Sequence, residues 1–270
     1  MSTPTDVADS ERATDSKRAT DSKRATDSER ATDSERAAAD VGPFVVRVLL
    51  YDGFDELDAI APYEVFATAG EFLADRSFEE NLDATAPSAI DVEYATLEPR
   101  DRVVASHGTR IEPDGTLAGR DRTGDAVPDA DHPDLLVVPG GGWNARDAEA
   151  SAWVEARRGV IPDALASFAE TDVRLASVCT GTMLLATAGI TDGRRAVTHA
   201  SAIDDLRESG ATVVDARVVD DGDVVSAGGV TSGIDLGLYL VRDVFGDALA
   251  DRVATVLEYE PRGNVAGRPD

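Results

Sequence analysis

Hydrophobic positions change rhythm near residue 43 of this 270-residue chain. Before it, residues 11–34 repeat a hexapeptide four times, ERATDS KRATDS KRATDS ERATDS, and ERAAAD at 35–40 is a degraded fifth copy. A period of six fits neither the helical repeat of about 3.6 nor the strand repeat of about 2, and alanine is the only apolar residue offered to a core. Residues 1–42 are therefore expected to form a disordered, solvated tail, and residues 43–264 an ordered domain.

From residue 44 the pattern turns to FVVRVLLYDG, a near-continuous β-branched run that reads as a strand buried on both faces. APYEVFATAGEFLADR, residues 61–76, has helical spacing, with Pro62 expected in the first turn. Further strands are expected at 89–98, 102–106 and 133–142. SAWVEARRGVIPDALASFAE reads as a helix interrupted by Pro162, and DVRLASV as a strand ending at Val178. A short helix over 183–190, strand-like runs RRAVTH and ATVVDARVVDDGDVVSAGG, and a long terminal helix from about Gly233 to Glu258 complete the pattern. Strands alternating with helices predict an α/β fold, a mostly parallel sheet covered on both faces. In such sheets ligands bind beyond the carboxyl ends of the strands. That rule selects the loop after Tyr51, the glycines after Pro139, and Cys179.

Cys179 is the only cysteine. SVCTGT places it where a buried strand turns sharply into a helix, a geometry that exposes a nucleophile and lets a helix N-terminus favour the thiolate. A small buried residue is the plain alternative. Gly140, Gly141 and Gly142 end another strand, and with the Thr180 N–H their backbone donors are expected to form an oxyanion hole. Among Asp52, Asp55, Glu56 and Asp58, the last is flanked by Leu57 and Ala59 and is the acid expected to turn inward and share a proton with a thiol. His199 follows an apolar strand and is placed at the same edge, as a substrate-binding group or a structural hydrogen-bonder; His107 and His132 lie in polar segments.

Composition narrows the partners. Asp and Glu number 52 against 26 Lys and Arg, a formal net charge of −26, which repels nucleic acid and anionic membranes. The only lysines are Lys17 and Lys23. The doubled acid count suggests adaptation to high salt, with GC-rich coding as the alternative source of the Arg and Ala excess. One cysteine and three histidines argue against a Cys/His zinc site, and no metal or cofactor is expected. Without a secretory leader pattern or an apolar run of roughly 18 residues, the chain reads as soluble and cytoplasmic.

VLLYDGFDELDAIAPYEVF, DLLVVPGGG, LASVCTGTMLLATAGITDGRRAVTHASAIDDL, VVSAGGVTSGIDLGLYLV and LEYEP, in this order, resemble the ThiJ/PfpI superfamily, related in fold to class I glutamine amidotransferases. The resemblance implies a flavodoxin-like three-layer sandwich with a nucleophile elbow. Within it the isonitrile hydratase branch is nearest, through Cys179 with Thr180, Asp58 before a proline, His199 after threonine, and AGGVTSGID at 227–235. It implies a hydro-lyase acting on a small molecule without a cofactor, Cys179 as nucleophile, Asp58 as general acid/base, Thr180 as the neighbour that positions substrate, and a homodimer. Thr180 replaces the histidine of the protease branch, and no histidine follows His199, so peptidase and glutamine amidotransferase activity are disfavoured. Two alternatives stay open: a glyoxalase- or deglycase-like attack on dicarbonyls, whose branch commonly carries glutamate at the Asp58 position, and a redox-sensing or binding protein without catalysis.

Overall fold

The computed structural model describes residues 42–75, 86–117, 132–146, 149–262 and 264–267. Backbone packing divides the chain into Met1–Asp40 and Val41–Asp270, and every described element lies in the second unit. The expected tail, Gly42 apart, lies outside the described residues.

The central strands are built from residues that suit burial on both faces: β1 (Phe44–Leu49), β6 (Leu135–Val138), β7 (Arg174–Val178) and β11 (Val224–Ala227) read FVVRVL, LLVV, RLASV and VVSA. All four residues of β6 and of β11 are buried. With β2 (Ile90–Thr96), β5 (Gly115–Thr116), β10 (Val218–Asp220) and β12 (Val265–Ala266) they form one eight-stranded sheet in the order β12-β10-β11-β7-β6-β1-β2-β5. From β11 to β5 every pairing is parallel; β10 pairs antiparallel to β11 and carries β12 parallel to itself. The chain leaves β1 for β2 on one side and returns to β6 on the other. The topological switch therefore falls between β1 and β6, the position at which sheets of this kind build their sites.

Helix α1 (Glu56–Ala74) packs with α6 (Ser232–Phe245) and α7 (Asp247–Val256) on one side of the sheet. On the other, α2 (Ala152–Arg158), α3 (Val160–Phe168) and α4 (Gly181–Thr187) pack together. This is the expected flavodoxin-like α/β sandwich. At the α1–α6 crossing a Cβ on Gly237 would lie 2.9 Å from Val65 Cβ, so only glycine permits that approach.

Several boundaries differ from the sequence pattern. Helix α1 starts at Glu56 because the Asp55 side chain accepts from the Leu57 N–H at 3.3 Å, and Pro62 lies inside the helix instead of in its first turn. Its ring packs against α6, where a Cβ on Gly233 would sit 3.2 Å from Pro62 Cδ. The break between α2 and α3 is made by Gly159 at φ +79°, and Pro162 falls harmlessly in the first turn of α3. Gly246, at φ +92°, divides the expected terminal helix into α6 and α7. The strands β3 (Val103–Val104) and β4 (Arg110–Ile111) form a separate hairpin. Likewise, among the described residues, β8 (Arg195–Ala196) pairs only with β9 (Thr212–Val213), outside the main sheet. Between them lie a single 3₁₀ turn over Ala200–Ala202 and the short helix α5 (Ile203–Glu208). No helix among the described residues is long and apolar enough to cross a membrane.

Candidate active site

Three loops meet at the carboxyl edge of the sheet. β7 ends at Val178, and Cys179 takes φ +57°, a left-handed conformation uncommon for a residue with a Cβ. The chain then enters α4 at Gly181, where a Cβ would come within 2.1 Å of the Val138 carbonyl oxygen. Only glycine lets the turn press so closely on the end of β6. A Cβ on Gly140 would lie 2.4 Å from the Thr180 nitrogen, and one on Gly141 2.5 Å from the Gly53 carbonyl oxygen. The glycines thus lock the loops after β1, β6 and β7 together.

Within this lock Asp58 and Cys179 face each other. Asp58 is fully buried, and Cys179 is 6% exposed. The Asp58 Oδ2 accepts from the Gly140 N–H at 3.1 Å, while Oδ1 has no conventional hydrogen-bond partner among the described residues. Burial and the nearby Asp55 charge raise the Asp58 pKa to about 8, outweighing its interactions with the thiol and the Gly140 N–H. Burial, reinforced by the Asp58 charge, pushes the Cys179 thiol up to about 12, against hydrogen bonds from the Val230 and Thr180 N–H groups. At neutral pH the resting site is a carboxylic acid beside a thiol, both uncharged. Its two protons come off as a coupled pair, the first near pH 8.

The glycine donors are placed differently from the oxyanion expectation. Gly140 donates to Asp58, and Gly141 donates to Thr180 Oγ1 at 2.9 Å. Both bonds orient site side chains. Gly142, at φ +64°, packs on Ser151, whose Cβ would be 2.9 Å from an added Cβ. Thr180 is buried, with its N–H on the thiol and its hydroxyl oxygen on Gly141.

His199 stands at the rim. Its Nδ1 accepts from the Ser201 N–H at 3.1 Å and contacts Ser201 Oγ at 2.8 Å, so the ring caps the 3₁₀ turn. An accepting Nδ1 places the proton on Nε2 in the neutral ring. The ring edge abuts Gly229, and no hydrogen bond among the described residues joins it to Cys179 or Asp58. Thr198 beside it does reach the elbow, donating to the Cys179 carbonyl at 2.9 Å.

Two participants were not assigned from sequence. Tyr51, at the end of β1, donates to the Pro139 carbonyl at 2.8 Å, and burial, with the Asp58 and Cys179 charges behind it, raises its pKa so that the phenol stays neutral. Val230 contributes only its backbone N–H, which no residue type advertises. No group of three or more His, Cys, Asp or Glu among the described residues converges as a metal site would.

Comparison with known proteins agrees with this architecture. The model of the DJ-1/PfpI family matches residues 45–243. Isonitrile hydratase of Pseudomonas putida is 30% identical over 226 residues, covering 83% of each chain. A deglycase of Thermococcus kodakarensis is 28% identical over 67% of this chain and 88% of its own. Among solved structures, a ThiJ/PfpI family protein from Pseudomonas syringae superposes with a TM-score of 0.62 at 23% identity, over 85% of this chain and 80% of that one.

Proposed function

The chain belongs to the DJ-1/PfpI family, and from that premise we propose that it is a cysteine-dependent hydratase of small, uncharged electrophiles, converting isonitriles to N-substituted formamides. One observation carries this reading: a fully buried carboxylic acid, neutral at pH 7, lies against the thiol at the elbow. An isonitrile carbon accepts both a proton and a nucleophile on the same atom. An uncharged acid beside a thiol is suited to deliver both.

Asp58 gives its proton to the isonitrile carbon as Cys179 Sγ attacks that carbon, and the thiol proton passes to the carboxylate. The product is an S-linked thioimidate, R–N=CH–S–Cys, with Asp58 again protonated. Water then adds to the same carbon, one of its protons reaching the nitrogen through Asp58. The adduct R–NH–CH(OH)–S–Cys expels the thiol, which takes the hydroxyl proton, and releases R–NH–CHO. The sum is R–NC plus water to the formamide. Thr180 orients the nucleophile through its N–H, and the Gly140 N–H holds the acid toward it.

The test compares wild type, Cys179→Ala and Asp58→Asn on an alkyl isonitrile and on methylglyoxal. Formamide production lost in both variants supports the proposal, and turnover that persists without Cys179 overturns it. Attack on a dicarbonyl requires the thiolate, so a deglycase would accelerate as pH rises toward 10. The hydratase proposed here slows over the same range.

A further inference from the structure

We propose that Arg217 and Asp235 are positioning residues, a part-buried clamp that holds the β11–α6 turn, with its Gly228 carbonyl and Val230 N–H, against Cys179. Val230 lies in the short turn between β11 and α6. Both ends of that turn are tied to Arg217. The Arg217 carbonyl accepts from the Gly228 N–H at 3.0 Å, and the Gly228 carbonyl in turn accepts from the Cys179 N–H at 2.8 Å. On the far side, Arg217 Nη2 donates to Thr231 Oγ1 at 2.9 Å, and Nε donates to Asp235 Oδ2 in an ion pair. Asp235 sits in the first turn of α6 and is 6% exposed.

Its carboxylate is shared further. Oδ2 accepts from the Tyr259 hydroxyl and Oδ1 from the Arg262 N–H, both at 2.8 Å, so the segment after α7 is fastened to the same clamp. The guanidinium is planar and forked, and here its two arms span two residues of one turn. A lysine ammonium keeps the charge but cannot present both arms in that geometry. Releasing Thr231 frees the turn next to Val230, and the sulfur then loses a donor that favours its ionised form. The inference rests on Cys179 as the reacting group, not on the identity of its substrate.

The test is the alkylation rate of Cys179 by iodoacetamide at pH 8 in the full chain, where mass spectrometry reads a single thiol. Arg217→Lys and Thr231→Val are compared with wild type and with Arg174→Lys, which disturbs an ion pair with Asp220 and Asp243 at the opposite end of β7. Loss of one N–H donor corresponds to about tenfold less thiolate, partly offset by greater nucleophilicity, so the two clamp variants should react about three- to fourfold more slowly. Arg174→Lys should react at the wild-type rate. Thr231 is exposed and its replacement isosteric, so that variant tests the clamp even if Arg217→Lys unfolds. Wild-type rates in Thr231→Val, or equal slowing in Arg174→Lys, would overturn the clamp. Absence of isonitrile turnover in the wild type would instead overturn the proposed function and leave the alkylation comparison standing.

Discussion

Glu56 and Asp58 share the first turn of α1, yet their surroundings drive them in opposite directions. Glu56 faces the β3–β4 hairpin, where its carboxylate receives the His107 Nδ1 at 2.8 Å, the His107 N–H at 3.0 Å, Ser106 Oγ at 3.2 Å and the Thr109 N–H at 3.4 Å. What burial it has raises its pKa, but the His107 side chain and these backbone donors overcome that and bring it down to about 2. Asp58, pointing into the sheet edge, has one backbone donor and no cation among the described residues, and burial takes it up to about 8. Asp235 is a third case, buried like Asp58 but supplied with Arg217, Tyr259 and the Arg262 N–H. Donor supply, more than burial alone, separates a structural carboxylate from a candidate acid.

The largest way to break the comparison is Asp58→Asn, which keeps the shape and removes the proton. Hydration should fall by roughly 10²- to 10⁴-fold, the usual contribution of a positioned general acid. Stability should move the other way. Between the ordinary carboxylate pKa and about 8 the folded state holds a proton that the unfolded chain releases, so unfolding free energy falls as pH rises through that window. The asparagine variant escapes this loss and should be more stable at pH 8, on the order of a few kcal/mol, with the gain shrinking toward pH 4. Urea midpoints at the two pH values measure it; a variant less stable than wild type at pH 8 would contradict the neutral-acid assignment.

A smaller perturbation is Asp55→Asn. The Asp55 charge is the second cause of the raised Asp58 pKa, and asparagine can still cap α1. The pH limit of activity should move downward by a fraction of a unit, with the maximal rate little changed, and a steady-state profile from pH 6 to 9 would detect it.

Much of this site was legible in the chain. A β-branched run ending in SVCTGT specifies a strand, a sharp turn and a helix, and the ends of the other apolar runs located the segment leading to Asp58 and the loop of Gly140 to Gly142. Other parts carried no readable signal. Val230 acts through its backbone, so its side-chain type says nothing about the role. Arg217 looks like an ordinary surface charge in an acidic sequence; Asp235 closes the AGGVTSGID motif, but nothing in that motif names its partner, and only the fold brings the two together. The start of α1 was hidden because Pro62 suggested a first turn, while the cap came from Asp55, one acid among four in that loop.

The smallest effect is expected of Glu56→Gln. Its depressed pKa means a contribution present above the ordinary glutamate value and lost as pH falls toward about 2. The His107 partner is exposed to solvent, which weakens the pair, so the Tm at pH 6 should drop by roughly 2–4 °C or less, and the difference should vanish near pH 2. Isonitrile turnover should be unaffected. Loss of turnover here comparable to that of Asp58→Asn would erase the contrast between the two carboxyls.

The neutral acid–thiol pair is tested most directly by the pH dependence of kcat/KM for an alkyl isonitrile. The profile should be level through neutrality and fall above about 8, as Asp58 gives up its proton. A rate that climbs steadily from pH 7 to 10, following a thiolate, would contradict it.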